Sequence, residues 1–477
     1  MNRLASVPLL RGELPFETLV PARRLARLSS LPPAIPAAAQ SAVDWGLVVS
    51  LRRKASERIA GVLADHQREH GHAMPDIDRR LMGRAVVKAV VHEHAQELSA
   101  NGQALWPVDL ERAFAAGVES AIFGYGRLQP LFESPGAENI EIHGHDSVVV
   151  QFGDGRREQR PPVADSDDEL VEAIRFLGES VSPARPFDDA HPTMTLALGD
   201  RFRLHAIAFG LSHRPSITIR QHTLTEVSLR DLVRSRMMPE EVGRYLHAAV
   251  LARKSMVIAG DQGAGKTTLL RALVDAIPTT ERFGTLETDY ELLTHLQPGR
   301  RNMLALQARV GMGEQQDGKR LGEFSIADLI PEALRQNLSR LIVGEVRGSE
   351  AGAMFEAMHS GTGTLSTTHS HSAASTMDRL ASRVAQGGVL TVEEAYRQIA
   401  HHIHLLIYVR LTDETWRGGR RSRCVAEIRQ LTGGIEGGRP VTHLVYRAAA
   451  GDLAAEFHPD PESWAELAPF ADAWERP

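Results

Sequence analysis

The sequence has a single cysteine, Cys424, among 477 residues. No intramolecular disulfide can form, and a reducing compartment is the simplest expectation. No apolar run approaches the roughly 20 residues that a membrane-spanning helix needs. The opening stretch MNRLASVPLLRGELPF is broken by Pro8, Arg11, Glu13 and Pro15 and lacks the uninterrupted apolar core of a signal peptide. A cytoplasmic protein is expected, with any membrane contact peripheral. Basic charge is not in excess: the formal net charge is −6. No stretch interleaves basic and aromatic residues, so nucleic acid is not an expected partner. What remains is ordinary for a soluble globular chain, with 43% hydrophobic and 24% charged residues. The length is too great for one core and predicts two or three domains.

The patterning divides the chain. Residues 1–40 carry scattered proline and arginine, ending in LPPAIPAAAQ, and read as a flexible segment. Residues 41–118 read as a helical bundle, with Ile59, Val62 and Leu63, and then Val86, Val87, Val90 and Val91, at helical spacing. Residues 119–225 mix strand-like pieces (NIEIHG, SVVVQFGDG, MTLALGDRFRLHAIAF, PSITIRQH) with the helical DDELVEAIRFLGESV, which predicts an α+β domain. Residues 226–239 form a linker. From 240 to 435, strands such as SMVIAG, FGTLE, RLIVGE and GTLSTTH alternate with helical stretches, as in an α/β domain whose sheet is covered on both faces. Residues 436–477 are left as a C-terminal tail.

The string GDQGAGKTT satisfies G-x-x-x-x-G-K-[ST], between an apolar strand and a helix, as a phosphate-binding P-loop requires. Its glycines let successive N–H groups face an anion, and the following helix adds the positive end of its dipole. Gly260, Asp261, Gln262, Gly263, Ala264, Gly265, Lys266, Thr267 and Thr268 are therefore the candidate ATP-binding residues. Lys266 is expected to reach the β- and γ-phosphates, and Thr267 to hold Mg²⁺.

Hydrolysis also needs a group that positions water. TLETDYEL carries Glu287, Asp289 and Glu291, and LSRLIVGEVRG ends its apolar strand at Glu345. Ligands gather at the carboxyl ends of strands in open α/β sheets, so Glu287 and Glu345 are expected to face the P-loop. The second segment resembles a Walker B strand, but Gly344 stands where many P-loop proteins have aspartate. Glu345 is left to organise the metal through water or to activate water. TLSTTH delivers His369 to the same edge, either to sense the γ-phosphate or to hydrogen-bond a carboxylate. His369 and His371 form an H-x-H pair without a third nearby ligand, so zinc is not expected. The HHIH run at His401–His404 reads as structural.

The order of these boxes resembles the secretion ATPase superfamily of type II and type IV systems, and most of all the CpaF/TadA ATPases of Tad (Flp) pilus assembly. GYGRLQPLFESPGAENIEIHG and RPSITIRQH also resemble that family's N-terminal-domain motifs. The resemblance covers roughly 120–445. It implies a RecA-like P-loop NTPase domain preceded by a smaller α+β (PAS-like) domain and a helical bundle. It implies Glu287 orienting or activating water, Glu345 as the Walker B acid, His369 as the histidine-box residue, and Arg203 and Arg220 clamping phosphates. Arg201, two residues before Arg203 and on the same strand face, leaves that register open. It further implies a homohexamer on the cytoplasmic face of the inner membrane, working with platform proteins of a pilus or secretion system. The departures, Thr288–Asp289 after Glu287, IHG and HSHS, suggest a divergent branch. A type IV or DNA-transfer ATPase, or a nucleotide-binding scaffold with little turnover, stays open.

Overall fold

The computed structural model describes residues 43–475, apart from 135, 182–183, 200, 223–225, 298, 310, 317–318, 347–349, 361–362, 387, 389 and 450–453. The segment 1–40, and residues 223–225 at the end of the expected α+β domain, lie outside the described residues. The chain forms two compact units.

The first unit contains the described residues up to Val150, with Glu158–Leu196 and Leu204–Ile219. It opens with three helices, α1 (Trp45–His70), α2 (Asp76–Ala100) and α3 (Val108–Phe123). Asp44 caps α1 by accepting from the Leu47 N–H at 3.2 Å, which satisfies one of the orphan donors of a helix start. The apolar spacing turns inward: Val48, Leu51 and Ala55 of α1 meet Val87, Val90 and Val91 of α2 and Phe114 and Val118 of α3. The α+β part follows, with β1 (Ala137–His143), β2 (Ser147–Phe152), β3 (Arg157–Arg160), α4 (Asp167–Ser180), β4 (Thr193–Leu198), β5 (Phe202–Ile207) and β6 (Ser216–Gln221). The six strands lie in the order β3-β2-β1-β6-β5-β4. Strand β3, REQR, has no apolar residue to announce it. It lies at the sheet edge, where charged side chains are tolerated because one flank faces solvent.

The second unit contains Gln151–Arg157, Ala197–Arg203 and the described residues from Arg220 onward. Its elements are α5 (Leu229–Arg234), α6 (Glu240–Leu251), β7 (Met256–Gly260), α7 (Lys266–Asp275), β8 (Phe283–Glu287), β9 (Met303–Gln307), a hairpin of β10 (Met312–Gln316) and β11 (Lys319–Leu321), α8 (Ile326–Leu334), β12 (Arg340–Val346), α9 (Glu350–Ser360), β13 (Leu365–His369), α10 (Ala373–Gln386), α11 (Val392–His402), β14 (Leu405–Asp413), β15 (Arg421–Glu436), β16 (Arg439–Arg447), β17 (Glu456–Phe457) and α12 (Pro461–Ala471). Nine strands form one sheet, ordered β17-β16-β15-β14-β7-β13-β12-β8-β9. From β14 to β9 the neighbours are parallel, and from β14 to β17 they are antiparallel.

Two apolar clusters cover this sheet. One gathers Leu232, Val242, Leu246, Leu269 and Leu273 from α5, α6 and α7. The other gathers Ile330, Met354, Leu380 and Ile399 from α8 to α11. A parallel sheet buried on both faces explains the near-continuous apolar runs of its strands. The segment set apart in the sequence as a tail, 436–477, takes part in this core. Strand β16 extends the sheet, and Leu467, Ala471 and Trp474 belong to the first cluster. The expected linker 226–239 contains α5, whose capping box pairs Ser228 with Asp231 and whose Leu232 is buried.

Candidate nucleotide site

Parallel register sets four strand ends side by side. His369 at the end of β13 pairs with Gly260 at the end of β7. Val346 of β12 pairs with Thr368, and Val343 pairs with Leu286, the residue before Glu287 on β8. The loop after β7 and the acids and histidine after its neighbours therefore share one edge of the sheet, the position at which α/β sheets collect ligands.

The loop itself is shaped by close approach and handedness. A Cβ at Gly260 would lie 2.4 Å from the Val409 carbonyl oxygen, and Gly265, the residue that caps α7, has φ +96°. Only glycine accepts both conditions without strain. Helix α7 then begins at Lys266, which points its dipole and free N–H groups at the loop. Ala264 is fully buried and anchors the loop. Arg423 of β15 braces it from outside, donating from Nε to the Gly263 carbonyl at 2.7 Å and from Nη1 to the Gly153 carbonyl at 3.0 Å.

The Lys266 ammonium donates to the carbonyls of Gly260 at 3.1 Å and Asp261 at 3.0 Å. It also donates to Nδ1 of His369 at 3.2 Å. An ammonium can only donate, so this Nδ1 accepts and the ring proton sits on Nε2. That nitrogen stands 2.8 Å from Oε1 of Glu345. The imidazole thus stands between the P-loop lysine and the acid at the end of β12. His371 goes elsewhere: its Nδ1 lies 2.9 Å from Oδ1 of Asp261. The two histidines of the H-x-H pair serve different partners.

Glu287 is 3% exposed. Its Oε2 accepts the N–H groups of Glu291 and Leu292, both at 2.8 Å. Its buried Oε1 has no hydrogen-bond partner among the described residues. Burial pushes its pKa up to about 7, and the two backbone N–H groups hold it from rising further. A carboxyl poised there can accept a proton near neutrality, the property a general base needs. Gly344 has its reason here. A Cβ at that position would stand 3.1 Å from Cγ of Glu287, so an aspartate would crowd the buried carboxyl.

Arg203 of β5 reaches the same acidic segment, 2.6 Å from Oδ2 of Asp289 and 2.7 Å from Oε1 of Glu291. All three residues belong to the second unit. Of the two arginines in question on β5 and its flank, Arg203 makes this pairing, while the Arg201 carbonyl accepts the His222 N–H at 2.7 Å. Arg220 at the end of β6 lies near His222 and Arg271. Burial lowers the His222 pKa to about 4, with Arg271 and then Arg220 adding to the effect.

The sequence did not point to Arg271 or Arg423. Arg271 is 5% exposed on α7, and burial pulls its pKa down to about 10. Its Nε donates to the Glu291 carbonyl at 3.0 Å and its Nη2 to the same oxygen. The signal available was a charge inside TLLRALVDAI, flanked by Leu269, Leu270, Ala272 and Leu273, all of which are buried. A buried arginine needs acceptors, so its presence in that run announces partners.

The oxygen donors at this edge, the Thr267 hydroxyl with the Glu345 carboxylate, are of the hard type that suits Mg²⁺. The buried Oε1 of Glu287, without a hydrogen-bond partner among the described residues, leaves acceptor capacity at this edge.

A P-loop between β7 and α7, at the carboxyl edge of a parallel sheet, defines a P-loop NTPase of the α/β class. The profile described as "Type II/IV secretion system protein" matches residues 157–433, and the chain belongs to that family. It is 28% identical over 330 residues to a putative conjugal transfer protein of Mycobacterium tuberculosis, covering 67% of this chain and 88% of that one. It is 30% identical over 179 residues to the protein VirB11 of Agrobacterium fabrum, covering 37% of this chain and 49% of that one. Among solved structures it is similar to the VirB11 ATPase of the Brucella suis type IV secretion system, crystallised with sulphate, at 22% identity and a TM-score of 0.34. That likeness covers 64% of this chain and 96% of the other. Among the described residues, no helix is long and apolar enough to cross a membrane.

Proposed function

We propose that the chain hydrolyses ATP and couples hydrolysis to domain movement in a ring-shaped motor for pilus assembly or protein secretion. The observation that carries this reading is the line Lys266–His369–Glu345, with the buried carboxyl of Glu287 at the adjoining strand end. Lys266, the loop N–H groups and the start of α7 bind the β- and γ-phosphates. Glu287 orients the attacking water and takes its proton. His369 holds Glu345 in place and registers the position of Lys266, which exchanges its loop carbonyls for phosphate oxygens when nucleotide arrives. Thr267, with Glu345 acting through water, would hold Mg²⁺, which when bound neutralises charge on the phosphates.

Arg203 and Arg220 act as phosphate clamps from the strands of the α+β part. Loss of the γ-phosphate releases these arginines, so the chemistry becomes movement. On this reading the chain works as a homohexamer. It sits peripherally at the cytoplasmic face of the inner membrane, against platform proteins of a Tad-type pilus or secretion system.

Phosphate release by wild type and Glu345→Gln tests the enzymatic part. Turnover in wild type that is lost in the variant is expected, and equal background release from both would sink it. A DNA-transfer role is the second reading, and the similarity to the putative conjugal transfer protein of Mycobacterium tuberculosis favours it. Cross-linking in the native host decides between a pilus platform protein and the DNA-transfer machinery, and stimulation of hydrolysis by DNA would favour the latter.

A further inference from the structure

Glu287 does not hold its own orientation. It stands at the last position of β8, and one of its oxygens lacks a hydrogen-bond partner among the described residues. Its other oxygen takes two N–H groups from a turn four and five residues downstream. The carboxylate is therefore aimed by the turn, and the turn must itself be fixed.

The fixing contact comes from α7. The peptide unit between Glu291 and Leu292 is engaged at both ends. Its N–H, from Leu292, donates to Oε2 of Glu287 at 2.8 Å. Its carbonyl, from Glu291, accepts Nε of Arg271 at 3.0 Å together with Nη2 of the same guanidinium. A trans peptide is planar and its C=O and N–H point in opposite directions, so fixing one end fixes the other. A cation on the carbonyl also polarises the unit and strengthens its N–H as a donor. Arg271 is almost wholly buried, so this contact is made where the surroundings screen it little. Residues 266 and 271 lie on one helix, so the element that presents Lys266 to phosphate also carries the group that sets this turn.

We propose that Arg271 is a positioning residue for Glu287, acting through the peptide unit between Glu291 and Leu292. The inference rests on the reading of Glu287 as the group that activates water. It gives the acidic segment two tasks. Glu287 faces the reaction, while the backbone from Glu291 to Leu292 transmits the position of α7. The side chains of Asp289 and Glu291 meanwhile hold Arg203.

The test uses the full-length chain with four variants: Arg271→Gln, Arg271→Lys, Glu287→Gln and the double variant Arg271→Gln with Glu287→Gln. Steady-state phosphate release gives kcat and KM, a fluorescent ADP analogue gives Kd, and amide hydrogen exchange reports on the peptide 287–293. Arg271→Gln is expected to lower kcat by about 10- to 100-fold, the cost of misplacing a reacting group by about an ångström. KM and Kd should change less than about threefold, and exchange at Glu291 and Leu292 should rise. Arg271→Lys, which keeps one charged donor, should recover part of kcat. In the Glu287→Gln background, adding Arg271→Gln should cost nothing further, because coupled residues are not additive. Multiplying losses in the double variant, or unchanged exchange in Arg271→Gln, would overturn the proposal. If Arg271→Gln does not fold, Arg271→Lys carries the same kinetic and exchange comparison. If Glu287→Gln keeps wild-type turnover, the role given to Glu287 fails instead. The exchange result then still decides whether Arg271 sets the turn.

Discussion

The imidazole of His369 stands between Nζ of Lys266, 3.2 Å from its Nδ1, and Oε1 of Glu345, 2.8 Å from its Nε2. One neutral ring thus faces a cation that belongs to the phosphate-binding loop and an acid that belongs to the neighbouring strand. A displacement of Lys266 toward phosphate withdraws its donor from this ring. Replacing His369 with alanine removes the link but leaves the loop, so kcat should fall on the order of 10- to 100-fold with little change in nucleotide affinity. Steady-state phosphate release beside equilibrium binding of an ADP analogue measures the two separately. An equal loss in both would make His369 a binding residue.

Glu287 predicts a pH dependence. Burial holds its pKa at about 7, above the ordinary 4.5, so the ionised form that accepts a proton is populated only as pH rises through that value. In wild type, kcat should climb between pH 6 and pH 8, and Glu287→Gln should abolish the climb with the activity. Stability runs the opposite way. A carboxyl whose pKa is raised on folding contributes fully below 4.5, and the contribution is lost as pH rises through about 7. Glu287→Gln should therefore melt higher than wild type at pH 8, with the gap closing toward pH 5. Thermal melts across that range check the sign.

Much of this edge was legible in the sequence because its parts are local. An apolar strand followed by a polar residue marks a strand end, so FGTLE, RLIVGE and TLSTTH announced where Glu287, Glu345 and His369 would stand. Arg271 and Arg423 were not legible. Their acceptors are the carbonyls of Glu291 and Gly263, 20 and 160 residues away in the chain, and a carbonyl has no letter in the sequence. The same reason hid the role of 436–477: Trp474 looks like an ordinary aromatic until the helix against which it packs is known. Strand β3 was missed because an edge strand needs no apolar face.

Gly344 takes the place of a Walker B aspartate, and the structure gives a steric reason. Its missing Cβ would stand 3.1 Å from Cγ of Glu287 and 3.5 Å from the Leu286 carbonyl. Gly344→Asp should lower kcat and move the kinetic pKa upward, because a second carboxylate beside Glu287 disfavours its ionisation. Gly344→Ala should lower kcat less and leave the inflection closer to wild type. Phosphate release measured from pH 6 to pH 9 separates crowding from charge. An Asp variant more active than wild type would refute the steric account.

Arg340 and Glu281 form a buried pair, with Nε 2.6 Å from Oε1 and Nη2 2.8 Å from Oε2. The arginine side chain is 1% exposed, and its Nη1 donates to the Val250 carbonyl at 3.0 Å. Burial raises the Glu281 pKa, but the hydrogen bonds from Arg340 and Ser339 and the charges of Arg340 and Arg253 together outweigh it and hold the carboxyl below its usual range. That contribution is present above pH 4.5 and is lost as pH falls. Arg340→Met leaves the buried Glu281 with only Ser339 and the more distant Arg253 and should cost about 3–5 kcal/mol at neutral pH. Denaturant unfolding of wild type and variant at pH 7 checks this, and Arg340→Met with Glu281→Leu should recover much of the loss.

Trp474 closes the molecule's first apolar cluster from the C-terminal side. It is 6% exposed. A Cβ on Gly243 of α6 would stand 3.2 Å from its Cη2, so the ring lies directly on that helix, with the Arg230 guanidinium 5.4 Å from the ring centroid. Leu467 and Ala471 of α12 are buried in the same cluster, and Lys254 pairs with Glu466 at 2.5 Å on its rim. This packing makes α12 part of the second unit's core and not an appendage. Trp474→Ala should destabilise the unit by about 3–5 kcal/mol, the range for emptying a large aromatic site. Deleting residues 460–477 should cost more and expose the apolar face of α6 to aggregation. Chemical denaturation followed by a probe in the second unit, with light scattering on the truncated chain, provides the measurement. A truncated chain that melts as wild type does and stays monodisperse would show that α12 only rests on the surface.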